Sequence, residues 1–219
     1  MRIYIQTTPN LTSVPFDYLP KLVGTIHKWI GKNSFHDNIS LYSFSWLNGG
    51  RKVGDSLEFK YGAKFFISFY DSSVIKKIIK SILDAPDIFC GLRVTEVSLA
   101  DEKDVAEREL FFCASPIFIK RELEDGSLKH YSYDDIAANS LIKETLLSKM
   151  KEVGLEDETL DIRFDISYSK KKMKLVHYRG IGNKANICPI IIKAKPETKL
   201  FAWNVGIGNC TGIGFGAIY

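Results

Sequence analysis

The chain has 219 residues and a mass of 24.8 kDa, enough for one large domain or two of about 110 residues. Hydrophobic residues make up 45% and charged residues 26%, a balance that excludes wholesale disorder. The 30 Lys and Arg against 26 Asp and Glu give a formal charge of +4, too small by itself to demonstrate a polyanionic partner, so the distribution of charge has to decide.

The first ten residues carry one Arg and no apolar run of signal-peptide length, and no stretch reaches the roughly 18–20 apolar residues of a spanning helix. A cytoplasmic protein with no membrane contact is therefore expected, and the sequons at Asn10, Asn38 and Asn209 carry no information. Cys90, Cys113, Cys188 and Cys210 are scattered without a Cys-x-x-Cys pair, so four buried thiols are expected, with neither a zinc site nor a disulfide framework.

Residues 2–7 alternate Ile3 and Ile5 with polar neighbours, as a strand does. Asp17 is placed to cap a helix whose face is Leu19, Leu22, Val23, Ile26 and Ile30 and which Gly31 ends. Residues 41–47 read as a strand closed by Asn48-Gly49-Gly50, and 64–70 as an aromatic-rich strand. Asp71 or Ser72 then opens a helix with Val74, Ile75, Ile78, Ile79, Ile82 and Leu83 on one face, stopped by Pro86 ahead of a strand at 91–99. Strand, helix, strand, strand, helix, strand is the ferredoxin-like order. Acidic residues at 101, 102, 104, 107 and 109 suggest a linker.

The second half repeats the pattern: a strand at 110–119, a polar hairpin with Gly126, and a helix capped by Asp134 or Asp135 that carries Ala138, Ile142, Leu146, Met150 and Val153. Ile162, Phe164, Ile166 and Tyr168 alternate as a strand. A hairpin arm at 173–178, a buried strand at 190–192, a short helix from Pro196 to Gly206 and a last strand at 213–219 complete the chain. The fold class expected is α+β, two tandem ferredoxin-like (RRM-like) domains at 1–100 and 110–219, with antiparallel sheets, helices on one face and extra hairpins.

Residues 206–216 hold five glycines, Gly206, Gly208, Gly212, Gly214 and Gly216. A dinucleotide fingerprint needs a strand before it and a full helix after it; here only three residues follow Gly216, and no Walker lysine is present. Two alternatives remain: a helix cap and twisted hairpin without a ligand, or a loop whose bare backbone approaches a phosphate or another backbone.

The terminal Gly-Ile-Gly-x5-Ile-Gly-Phe-Gly, with Ser115-Pro116-Ile117 opening the second half, resembles the CRISPR-associated repeat-processing endoribonucleases of the RAMP superfamily, and the likeness runs the length of the chain. The resemblance implies metal-independent cleavage of CRISPR precursor RNA within its repeats to generate guide RNAs, by attack of a ribose 2′-hydroxyl on the adjacent phosphate. It implies no cofactor and no metal. It carries a catalytic histidine onto His36, in the loop after the first helix, and a second catalytic position onto His27, late in that helix. Some relatives have a lysine shortly after the loop histidine; this chain has Asn38, Ile39, Ser40 and Leu41 there, so Lys28, Lys32 or Lys52 fills that role through space or it is absent.

Imidazole suits the chemistry, because its ordinary pKa near 6.5 lets it take and give protons around neutrality, and one positioned acid or base contributes roughly 10²–10⁴ in rate. His36 as base and His27 as acid is the favoured assignment, and the reverse is open. His130 and His177 are expected on the surface. Between 163 and 199 stand ten basic residues against Asp165 and Glu197. Lys170, Lys171, Lys172, Lys174, Arg179 and Lys184 in this stretch, interleaved with aromatics, are expected to bind RNA, as are Lys28, Lys32, Arg51 and Lys52. The plainer reading of 170–174 is a solvated hairpin tip. The partners expected are CRISPR repeat RNA and proteins of a CRISPR effector complex, with the chain a monomer or homodimer. The rival reading is a non-catalytic RNA-binding subunit of a CRISPR ribonucleoprotein.

Overall fold

A computed structural model describes residues 1–31, 39–100 and 104–219. The first half runs β1 (Arg2–Thr7), β2 (Val14–Pro15), α1 (Leu19–Ile30), β3 (Tyr42–Phe44), β4 (Arg51–Val53), β5 (Ser56–Glu58), β6 (Lys64–Phe69), α2 (Val74–Asp84) and β7 (Val94–Leu99). Its main sheet is antiparallel in the order β3-β6-β1-β7. Numbering only those four strands by sequence, the order is 2-3-1-4, the arrangement of a ferredoxin-like unit.

The period-2 alternation of β1 sends Ile3 and Ile5 to the face where they join Leu22, Ile26, Trp29, Ile75, Ile78 and Ile82 of the two helices. Neither helix uses an acidic cap: Tyr18 and Ser73 occupy the N-cap positions without a side-chain cap bond, and Asp71 accepts instead from the Ser73 amide. The sequence reading has no β4–β5 hairpin, because its short strands, β4 exposed and β5 half-buried, are too brief to show apolar alternation.

The second half runs β8 (Leu110–Phe111), β9 (Lys120–Glu122), β10 (Leu128–His130), α3 (Ala138–Lys151), β11 (Asp161–Phe164), β12 (Lys172–Tyr178), β13 (Ile181–Ile187), β14 (Ile190–Lys193) and α4 (Pro196–Val205). Strand order is β11-β14-β8. Amides and carbonyls of 112–114 and 217–219 extend that sheet through Phe112 and Tyr219, which bond each other both ways at 2.9 Å, and through Ala114 to Ala217 at 2.8 Å. The order is again 2-3-1-4, so both halves are ferredoxin-like.

Four expectations change here. The strand alternating through Ile166 and Tyr168 ends at Phe164, because a turn follows that the Tyr168 amide closes onto the Asp165 carbonyl. The strand at 110–119 is shorter than expected: β8 pairs with β14 at Leu110–Phe111 and the chain then pairs with 217–219 as far as Ser115, but from Pro116 it turns its hydrogen bonds to the glycine loop and Asn186. The last strand is confined to the final residues, since 211–213 form a 3-10 turn entered and left through left-handed Cys210 and Gly214. The second-half helix starts from Ala137, while Asp135 accepts from the Ser132 amide.

The halves meet through α4, which is buried on nearly every side because it lies over its own sheet and also against the face of the first sheet opposite α1 and α2. On that face Arg2, Ser43 and Ser68 are fully buried. The Arg2 guanidinium is sandwiched between the Phe66 and Trp203 rings, 3.6 and 3.4 Å from their centroids. It donates to Ser68 Oγ at 2.6 Å and to the Trp203 and Ile218 carbonyls at 2.8 Å. Ser43 Oγ donates to the Asn204 carbonyl at 2.9 Å.

One charged group thus ties β1, β6, α4 and the C-terminal residues together. Arg2→Ala strands buried acceptors and opens a cavity, and is expected to cost about 3–5 kcal/mol. Arg2→Lys, which lacks the planar fork and the stacking surface, is expected to restore little of it. Urea unfolding midpoints check both, and an alanine variant as stable as the parent would refute the interlock.

Candidate functional site

Where α1 ends, its half-buried His27 faces the glycine-rich loop. The Tyr42 hydroxyl donates to the Gly212 carbonyl at 3.0 Å, and His27 Nε2 stands 3.1 Å from Tyr42 Oη and 3.4 Å from the same carbonyl. In the tautomer that carries its hydrogen on Nε2, His27 donates to Tyr42 Oη while the phenolic proton goes to the carbonyl, which can only accept. Burial pushes the Tyr42 hydroxyl well above its usual range, with the neighbouring Tyr178 adding to the effect, so it stays protonated.

The glycines explain how the loop comes so close. A Cβ on Gly216 would collide with the Ile207 carbonyl, and Gly214, at φ +92°, would press a Cβ onto Leu19 and Phe44. The loop is therefore docked against α1 and β3 of the first half, and both alternatives left by the sequence carry part of the truth: Gly206 caps α4, and the bare backbone packs tightly against other backbone. Trp46 adds a further tie, its Nε1 donating to the Gly214 carbonyl at 2.7 Å.

Beneath the loop lies Lys149 of α3, fully buried in its environment, with Nζ donating to the Val205 and Gly206 carbonyls at 3.1 and 3.2 Å and to Thr211 Oγ1 at 3.0 Å. It holds the end of α4 and the start of the loop in one place. Burial pushes its ammonium down to about 7, against a smaller opposing influence of Cys210. Sequence reasoning missed this residue, although its position three after Leu146 puts it on the apolar face of α3.

His36 and Lys32, the first proposed as base and the second as an RNA contact, lie outside the described residues. Described residues Gly31 and Ile39 flank that stretch, and Ser40 sits where a Cβ on Gly212 would fall. Lys28 is exposed on α1 next to His27. Lys52 stands on the β4–β5 hairpin, its Nζ 5.6 Å from the Phe16 ring centroid. Arg51 pairs with Glu58 at 3.2 Å on the exposed hairpin.

Lys170 and Lys171 precede β12, and Lys172 begins it, so 170–172 form the base of the long hairpin; its tip is Arg179-Gly180, both at positive φ. Lys174 lies over the Trp46 ring at 4.6 Å. Lys184, exposed on β13, donates its amide to His130 Nδ1 at 3.4 Å. His130 is half-buried rather than on the surface, edge-on to Phe118, and burial with nearby Lys120 and Lys184 lowers its pKa. Of the cysteines only Cys188 is buried, the other three being partly exposed because they stand at the edges of sheets and loops. Among the described residues, no group of three or more His, Cys, Asp or Glu side chains is gathered as metal ligands are, and no helix is long and apolar enough to cross a membrane.

Residues 100–219 match the family model described as CRISPR associated protein Cas6, C-terminal. Three solved structures are similar over all of this chain: a CRISPR-associated protein Cas6 (TM-score 0.83, 19% identity, 98% of that chain covered), the product of a Cas6-related gene from Pyrococcus furiosus (0.83, 20%, 97%), and a RAMP protein described as binding different RNA substrates (0.82, 19%, 98%). At these identities the likeness speaks to the fold. A search of curated proteins finds no match in sequence.

Lys149 generates a pH prediction. Its folded pKa, about 7, lies below the usual 10.5, so between those values the unfolded chain binds the extra proton and stability rises with pH. Below about 7 both states are protonated and the full penalty for the buried charge is present. Relative to Lys149→Met, the parent is expected to gain about 2 kcal/mol between pH 7 and 9, measured as the difference in urea unfolding free energy; a flat difference would rule this out.

Proposed function

The chain belongs to the Cas6 family of CRISPR-associated proteins, and from that premise we propose that it is an endoribonuclease that cuts CRISPR precursor RNA within its repeats without a divalent metal. In this reading His36 takes the proton from a ribose 2′-hydroxyl, whose oxygen attacks the adjacent phosphorus. The P–O5′ bond breaks, and His27 delivers a proton to the departing 5′-oxygen. The products are a 2′,3′-cyclic phosphate and a 5′-hydroxyl, so atoms and charge balance.

The observation that carries the reading is the His27–Tyr42–Gly212 contact. An imidazole stands at the seam of the two halves, beside backbone stripped of side chains by the glycines, on the helix that precedes His36 in sequence. Proton donation by a positioned histidine supplies roughly 10²–10⁴ in rate; alignment of the backbone and cationic stabilisation of the phosphorane by lysines such as Lys28 supply more. The lysines and Arg179 of the β12–β13 hairpin, with Lys184, fit a role in holding the RNA. Repeat RNA is the partner proposed, along with CRISPR effector proteins, and the domains proposed are 1–100 and 110–219.

The rival, an RNA-binding subunit that does not cut, draws on the same contact, because a histidine held by Tyr42 and a carbonyl also serves as a structural tie. Cleavage of labelled repeat RNA in excess EDTA separates the two. The proposal expects cutting to persist in chelator, and His36→Ala and His27→Ala each to slow it by at least a hundredfold while RNA affinity changes less than threefold. Binding with no cutting by the parent protein would favour the rival, and loss of cutting in chelator would end the metal-free mechanism.

A further inference from the structure

A cavity of about 480 Å³ opens where the β12–β13 hairpin leans on the start of α1, and its walls include Phe16, Asp17, Trp46, Lys174, Leu175 and His177. That volume falls in the roughly 300–1,000 Å³ range of small-ligand sites. We propose that this cavity holds one unpaired nucleotide of the bound RNA, its base against Phe16 and Trp46 and its phosphate on Lys174 and Lys52. The inference rests on the RNA-binding reading above and specifies a subsite for it.

Position is the first support. Trp46 is bonded to the Gly214 carbonyl and His27 lies against the Gly212 carbonyl, two residues apart on one loop. Leu19, which lines the cavity, is also the side chain that Gly214 nearly touches. An RNA strand following the glycine loop past His27 therefore passes the cavity mouth.

Chemistry is the second. The Trp46 ring is held in orientation by its hydrogen bond, and Phe16 remains 50% exposed, so a flat aromatic partner finds a fixed wall and an uncovered one. Each of these rings already carries a cation, Lys174 over Trp46 and Lys52 over Phe16. Burial, and then the like charge of Lys172, disfavours the charged form of Lys174. An anion entering beside it relieves that cost, whereas an aliphatic side chain from a protein partner would deepen it. Asp17 supplies an acceptor for the N–H groups of a base edge.

The test uses the full chain and a set of repeat RNAs, each lacking the base at one position, with affinity read by fluorescence anisotropy at several salt concentrations. The parent is expected to show one position where removing the base weakens binding about tenfold. Phe16→Ala should weaken intact RNA by a similar factor and no longer distinguish that position. Lys174→Met should lower the magnitude of the salt slope by about one; an apolar occupant would instead bind the methionine variant more tightly. Phe16 is half exposed, so its variant is expected to keep the parent's unfolding midpoint. Tight RNA binding with no such base position, or with the position still sensed by Phe16→Ala, overturns the cavity's assignment alone. Absence of any RNA binding by the parent overturns both it and the reading it rests on.

Discussion

A buried guanidinium is the constraint around which the two halves are organised. Arg2 sits on the face of the first sheet opposite its own helices, with an aromatic ring from each half on either side and carbonyls from α4 and the C-terminal residues in front. Two sheets joined only by apolar contact can slide; a fork of donors with fixed partners cannot. The charge is costly to desolvate, so its presence there favours one relative placement of the halves over neighbouring ones. Everything at the seam inherits that precision, including the approach of Gly212 to Tyr42 and His27.

Lys149 does for the glycine loop what Arg2 does for the sheets. Its ammonium gathers the free carbonyls at the end of α4, where a helix leaves acceptors without partners, and ties them to Thr211 in the loop. The loop is pinned from within by the buried Ile207 and Phe215 side chains and by Asn209 Oδ1, which accepts from the Lys120 amide, and from outside by Lys149 below, Trp46 at one end and Tyr42 in the middle.

Much of this architecture was legible in the sequence. Apolar spacing located the first three helices, because each buries a face, Pro196 and Gly206 marked the fourth, and the order of elements identified the ferredoxin-like plan twice. Edges were harder to read. Proposed caps at Asp17 and at Asp134 or Asp135 failed because those carboxylates are near the helix starts without being the residues that open them. That Arg2, one of the polar neighbours of Ile3 in β1, lies buried under α4 is something alternation alone does not reveal, since a buried polar face and a wet one have the same period. His27 emerged from family resemblance together with its helical position. Tyr42, Trp46 and Lys149 did not emerge at all: each looks like core filling until the partner that faces it, from more than a hundred residues away for two of them, is known.

The two halves share one more trait. Each carries an added hairpin between its second and third core strands, β4–β5 in the first and β12–β13 in the second. In this topology those strands are neighbours joined without a crossing helix, so a longer connection there costs little more than the closure of a larger loop. Every other link must deliver a helix to the sheet. The fold thus has in each half an inexpensive place for acquiring new surface, besides the β9–β10 hairpin in the link to α3, and the longer of the two arms is the one that brings Lys174 against Trp46. Recognition in such a scaffold can diversify at its arms while the clamped centre stays as it is.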